Sequence, residues 1–370
     1  MDSTPASTSN RRGISRRRGS VRSRLLLRAS VSLAIIVALW HAVPFHAAFA
    51  ALVAVDPLMA AAGFVFGLGV VAAGAAQIHA ITRWQGLSLT VPRHIEIVLQ
   101  TGFYALFLPG ALSGGVVRWY KLARPDGRPA EAVSAIVFNR LTGTIVLVAL
   151  GLACWLLAPA AALAAPVGLL LAGCLAGLTA FYATAFRPDL YAWLVSRLPA
   201  GLLRRVPEAV RTRIRETLDA ITAMDGMPAR VKATVFGWAF GRHLSGIVAF
   251  VAFAASLDTH VGYIDAGWVR ALTGLLLLLP ISVAGIGVRE SATIVLLRPL
   301  GVPGPTALAL SVVLFAQTVL LGLIGGALEA RAAFRAPVRD RLDTAPQPIA
   351  GRAPVDEAEP ESPPDMAAGA

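Results

Sequence analysis

Two interruptions of the same kind break an otherwise bilayer-length apolar pattern. Leu279 to Glu290 reads LPISVAGIGVRE, and Leu108 to Arg118 reads LPGALSGGVVR. Leu, Pro, Gly, Val and Arg recur in register at Leu108/Leu279, Pro109/Pro280, Gly114/Gly285, Val117/Val288 and Arg118/Arg289, always 171 positions apart. A proline or glycine break at membrane depth frees backbone N–H and C=O groups, which only protein or a water-filled cavity can satisfy. One such break in each half of a chain points to a binding site where two repeats meet. The expected breaks are Pro109, Gly114 and Gly115 in the first half and Pro280, Gly285 and Gly287 in the second.

Composition names the solvent. With 56% hydrophobic and 15% charged residues in 370, the chain holds more apolar sequence than one soluble core can bury, so the fold class expected is an all-α polytopic membrane protein. The formal charge of +12 would suggest nucleic acid in a soluble chain. Here the arginines flank apolar spans, where topology accounts for them, and no nucleic-acid partner is expected. Cys154 and Cys174 lie within apolar spans and lack metal-ligand spacing, so neither a metal nor a disulfide is expected. No cofactor motif stands out, since the Gly-x-Gly of the second break opens no nucleotide-binding unit.

Six segments are apolar over the ~20 residues a helix needs to cross the bilayer: Leu25 to Val43, Leu58 to Ala80, Val133 to Ala158, Pro166 to Phe186, Val231 to Leu257 and Thr306 to Ala330. The breaks fall in two further apolar regions, Ile95 to Leu112 and Trp268 to Leu300. Charge decides how those two behave. If both are re-entrant, the loops 44–57, 159–165 and 258–267, which hold no Lys or Arg, all face outward. The basic segments then face inward together, including the 187–230 loop with its eight arginines.

Three spans then separate Arg118 from Arg289, so the two hairpins enter from opposite faces. The expected architecture is an inverted repeat, each half being three spans plus one re-entrant hairpin, giving about six full spans and two re-entrant segments. Residues 1–24 form a disordered basic arm, 25–330 the membrane domain with halves 25–158 and 166–330, and 331–370 a disordered tail. Both termini are expected in the cytoplasm. Within the insertion 187–230, Val206, Val210, Ile214, Leu218 and Ile221 recur every three to four residues among arginines, predicting an amphipathic helix on the inner leaflet.

LPGALSGGVVRWYKLAR, VSAIVFNRLTGTIVLVALG and LLLLLPISVAGIGVRESATIVLLRPLGV together resemble the flippase-like family related to the membrane region of lysylphosphatidylglycerol synthases. The resemblance runs from the first span to about Ala330. It implies a bacterial inner-membrane protein that carries a charged, aminoacylated or glycosylated lipid between leaflets. Two positions depart from the family pattern: Val116 stands where an acid is frequent, and Asn139-Arg140 where Glu-Arg is usual. The 40 residues after Ala330 are expected to hold no aminoacyl-transferase domain, and no catalytic residue is expected anywhere, so the chain is read as no enzyme.

Arginine presents a planar fork of donors that suits phosphate and stays charged when partly dehydrated. Arg118 and Arg289, with Arg140 and Lys121, are therefore the expected lipid-headgroup residues, and Glu290 a coupling acid or charge partner. Arg242 and His243 are further intramembrane polar residues, read as packing or cavity groups. The expected partners are membrane lipids, a phospholipid or a lipid-linked saccharide, and a separate enzyme that modifies them. The other reading is a non-transporting subunit that docks a lipid-modifying or glycosyl-transfer enzyme.

Overall fold

The computed structural model describes residues 45–107, 113–158, 165–197, 208–279 and 285–335. The expected first span, residues 1–24 and 336–370 of the expected terminal arm and tail, Pro109 and Pro280 lie outside the described residues, whereas 331–335, expected in the tail, continue the last helix. The described chain is helical throughout: α1 (Phe45–Val53), α2 (Pro57–Trp84), α3 (Val91–Phe107), α4 (Ser113–Ala123), α5 (Pro129–Leu157), α6 (Ala165–Ala185), α7 (Pro188–Arg197), α8 (Glu208–Thr222), α9 (Ala229–Ala255), α10 (Tyr263–Leu278), α11 (Val288–Leu297) and α12 (Gly304–Arg335). The compact unit ends at Leu328, and Glu329–Ala370 forms a second, described only to Arg335.

Five helices, α2, α5, α6, α9 and α12, are long and apolar enough to cross a membrane, and they coincide with five of the six expected spans. The chain is a multi-pass membrane protein. Local chemistry sets the helix limits. At α2, Asp56 Oδ1 accepts from the N–H groups of Leu58 and Met59 at 2.7 and 3.2 Å, and Pro57 takes the first helical position, where its missing N–H costs nothing. Two helices differ from the expected loops. α1 forms within 44–57, because FHAAFAALV runs in helix-compatible residues without a breaker until Asp56-Pro57, and α7 precedes the expected amphipathic helix.

The helices meet through small residues, as membrane helices must when no hydrophobic effect separates them from lipid. Gly63, Gly69 and Gly74 of α2 face Phe253, Ser245 and Arg242 of α9. The numbers rise on one helix as they fall on the other, so α2 and α9 are antiparallel. Gly151 of α5 meets Ala271 of α10, and Gly274 of α10 meets Leu147 of α5. Likewise Gly322, Gly325 and Gly326 of α12 receive Leu106, Leu99 and Phe103 of α3. Both of these pairs are antiparallel too. Each broken segment thus packs on the long helix that ends the other half of the chain.

Neither broken segment is a straight helix. α4 folds back on α3, with Gly114 placed so that a Cβ would lie 3.2 Å from Thr101 Cγ2 and 3.4 Å from Ala105 Cβ. In the second, Gly285 and Gly287 have φ of 77° and 86°, left-handed backbone that explains why glycine stands at both places. The main core lies where α5, α9, α10 and α12 meet, around Phe250, Phe253, Trp268 and Leu310. α6 is the least enclosed span, and Leu169, 74% exposed, belongs to its lipid-facing side.

α8 covers most of the expected amphipathic stretch. Its C-terminal end is anchored: Ile221, with Met224 just beyond, packs beside Ile81 and Phe138. Val210 and Ile214 stay 47% and 51% exposed, on the same helix as Arg211, Arg213 and Arg215.

Candidate functional site

α5 and α9 run parallel, since their neighbours pair in rising order. Ala135 and Phe138 share a cluster with Val235, Gly143 O lies 2.9 Å from His243 Nε2, and Cys154 and Ile247 both touch the Gly267 position. α2 crosses beside them, with Gln77 Nε2 donating to Thr142 Oγ1 at 3.2 Å. This three-helix junction holds polar groups that an apolar packing would not tolerate.

Arginines converge on it from four elements. Arg242 is the middle residue of α9, roughly 20 Å of helix from either end. Gly143 of α5 and Gly74 of α2 leave the room it occupies: a Cβ at Gly143 would collide with the Arg242 guanidinium, and one at Gly74 would press its Cδ. One turn further along α9, Gly246 makes the same room for the guanidinium of Arg270, which comes from α10. Arg118 of α4 lies within electrostatic reach of Arg242 and of Arg140 on α5, and Arg270 within reach of Arg242.

Among the described residues these charges lack counter-ions. Among the described residues no ion pair involves Arg118, Arg140, Arg242 or Arg270; the salt bridges join Arg93–Glu96, Arg128–Glu131, Arg211–Glu208 and Arg213–Glu216. Arg118 Nε is buried without a hydrogen-bond partner among the described residues. Arg242 Nη2 lies 3.2 Å from His243 Nε2, but when that nitrogen donates its proton to Gly143 O it cannot also accept from arginine. Arg118, Arg242 and Arg270 are deeply surrounded by protein yet each keeps solvent-accessible surface.

Unmet acceptors lie in the same junction. Gln77 Oε1 and Asn139 Oδ1 are buried without partners among the described residues. Toward α3, His94 Nδ1–H donates to Thr90 O at 2.9 Å, its Nε2 meets Thr82 Oγ1 at 2.9 Å, and its ring packs edge-on against His79. His94 is also within electrostatic reach of Arg118. A buried region with both unmet donors and unmet acceptors is a place for water or a polar ligand.

The expected site residues therefore divide. Arg118 and Arg140 come together, joined by Arg242. Arg289 has other neighbours: its Cζ lies 5.2 Å from the centre of the Phe315 ring, and Glu290 is within electrostatic reach. Glu290 Oε2 accepts from the Gly287 N–H at 2.6 Å, the one half of a capping box that a glycine N-cap allows at the start of α11. Lys121 occupies the last turn of α4, where a cation complements the helix dipole. Arg270 was not among the expected residues. The signal was present, an arginine in the apolar run WVRALTGLLLLL, but the neighbouring break drew the reading away from it.

Apart from this junction, a concavity of about 550 Å³ lies between α8 and the start of α5, lined by Trp84, Arg128, Glu131, Arg213, Glu216 and Asp219. Its arginines are locally paired, Arg128 with Glu131 and Arg213 with Glu216, so it lacks the uncompensated charge of the junction.

Among known proteins, the family described as the lysylphosphatidylglycerol synthase TM region matches residues 25–326. No curated protein matches the chain.

Proposed function

Because this chain belongs to the family of the lysylphosphatidylglycerol synthase transmembrane region, a membrane domain with a lipid-related role, we propose that it is an inner-membrane lipid translocase. It moves an anionic, aminoacylated or glycosylated lipid between leaflets and makes or breaks no covalent bond itself. The observation that carries this reading is the junction of Arg118, Arg140, Arg242 and Arg270 without a carboxylate among the described residues. Burying an arginine at mid-span costs ~2.5–3.5 kcal/mol on insertion scales, and Arg118, Arg242 and Arg270, enclosed together, cost more. A lipid phosphate held in the cavity offsets that cost with charge-assisted, bidentate hydrogen bonds, while the acyl chains stay in the bilayer.

The architecture of the reading is an inverted repeat with two re-entrant hairpins. Helices α2 and α9 correspond at the 171-residue offset, and their antiparallel packing is what inversion requires. It also requires an even number of crossings between them. α5 and α6 supply two, so α3 and α4 together return to the side they left. At 17 and 11 residues, these helices are roughly 25 and 16 Å long, short of the ~30 Å apolar thickness. α10 and α11, with 16 and 10 residues, are short in the same way. The positive-inside rule then puts the eight-arginine insertion and both termini in the cytoplasm.

The alternative is a subunit that moves nothing and docks a lipid-modifying or glycosyl-transfer enzyme, favoured by the exposed Val210 and Ile214 on the arginine-rich α8. Reconstitution separates the two. Purified protein in liposomes is tested for leaflet exchange of labelled phosphatidylglycerol, its aminoacylated form and a polyprenyl-phosphate sugar. Exchange of one of these above the protein-free rate is the expected result; no exchange of any of them supports the docking subunit.

A further inference from the structure

The four arginines are not equivalent, because they occupy different depths. α5 and α9 are parallel and in register at Gly143 and His243. Arg140 therefore lies about 3 Å, two residues of rise, nearer the N-terminal ends of these helices than Arg242 does. The guanidinium of Arg270 sits at Gly246, one turn beyond Arg242 in the opposite direction. Arg118 is within reach of Arg140 and Arg242, whereas Arg270 is within reach of Arg242. The order along the membrane normal is thus Arg118 with Arg140, then Arg242, then Arg270, with steps of about 3 to 6 Å, a helical turn or less each.

The two ends of this series belong to different hairpins. Arg118 is on α4, in the first broken segment, and Arg270 on α10, in the second. Arg242 belongs to neither. It stands at the centre of a long span, and the position 171 residues before it is Val71, so it breaks the correspondence between the halves. Three glycines, Gly74, Gly143 and Gly246, shape the space for Arg242 and Arg270.

We infer that Arg242 is the midway station of a phosphate path, on which a lipid phosphate passes from Arg118 and Arg140 of the first half to Arg270 on the second hairpin. This rests on the translocase reading and adds the route and the group that is carried. The physical need is plain: a phosphate stripped of water loses several kcal/mol of solvation unless fixed donors replace the water. Guanidiniums a turn or less apart allow one fork to take the phosphate oxygens before the previous fork has released them. A single tight site would hold the lipid and stop it; a graded series lets it leave. The Arg118 Nε donor, without a partner among the described residues, is what such a series needs in its empty state.

The test uses full-length protein in phosphatidylcholine vesicles carrying a trace of chain-labelled phosphatidylglycerol. Exchange is read as accessibility of the label to an impermeant quencher, and binding separately as label retained by detergent-solubilised protein. Thermal unfolding confirms that the variants fold. Arg242→Gln and Arg270→Gln are expected to slow exchange by about tenfold or more while retaining the label through Arg118, and Arg242→Lys, which keeps the charge but loses the fork, to fall between. Gly246→Ala, which displaces the Arg270 guanidinium without changing any charge, is expected to slow exchange as well. Full-rate exchange by Arg242→Gln overturns the path and leaves the translocase standing. Loss of binding together with exchange in folded Arg242→Gln also overturns it, in favour of one site. Absence of exchange by the wild type overturns the translocase reading and the path with it.

Discussion

A Cβ placed on Gly143 of α5 would occupy the position of the Arg242 guanidinium on α9. The obstructing atom is the far end of a long side chain, so Gly143→Ala moves the arginine and leaves the helices where they are. Stability should change by less than ~1 kcal/mol, while exchange falls toward the level of Arg242→Gln. Denaturation and leaflet exchange measured on the same preparation check both halves of this expectation.

Gly325 of α12 has a different neighbour. A Cβ there would run into the backbone of Leu99 and Gln100 on α3, which cannot rotate away. Gly325→Ala should destabilise the protein by about 1–3 kcal/mol, the usual cost of overpacking. Gly115, whose Cβ would meet nothing within 4 Å, serves as the control, and Gly115→Ala should leave the midpoint of unfolding near that of the wild type.

Glu290 hydrogen-bonds the Gly287 N–H and so fixes the start of α11. Glutamine can make the same bond and alanine cannot. Glu290→Gln should therefore keep stability and exchange, and Glu290→Ala should lose about 1 kcal/mol, within the range measured for helix caps. Loss of exchange in a fully stable Glu290→Gln would instead assign the carboxylate to proton coupling.

Outside the spans, Asp126 holds two loops together. Ser88 Oγ donates to it at 2.6 Å and Ser88 N–H at 3.0 Å, and these bonds, the hydroxyl first, hold the carboxyl below its ordinary value. A carboxylate with a lowered folded-state pKa stabilises at pH values above its unfolded pKa, and the stabilisation is lost as pH falls through the folded value. The group is exposed to water, so the effect is small. The gap in melting temperature between wild type and Asp126→Asn should be largest near neutrality and close as the pH is lowered below the usual aspartate range.

Much of this arrangement was legible in the residues. The five long helices follow from apolar length, and the positions of Gly114, Gly285 and Gly287 mark where helices stop and restart. Which arginines share a cavity was not legible, because it depends on helix rotation and on contacts far apart in sequence. Arg118 and Arg289 match in register, yet Arg118 lies near Arg242 while Arg289 packs on Phe315. Only tertiary contact reveals that Gly143 and Gly246 serve guanidiniums, since a glycine in a membrane helix reads equally well as a helix-packing residue. The capping bond of Glu290 was foreshadowed by its place three residues after Gly287, but a carboxylate inside an apolar region drew the functional reading first.

The role proposed for the arginine junction is to hold a lipid phosphate on its way between leaflets. It is tested most directly by leaflet exchange of labelled phosphatidylglycerol in proteoliposomes containing wild-type protein or Arg118→Gln, matched for folding and for reconstituted amount. The account predicts exchange by the wild type and a fall of about tenfold or more in the variant. Equal rates in the two would contradict it, since the phosphate would then cross without the arginine on which the site is built.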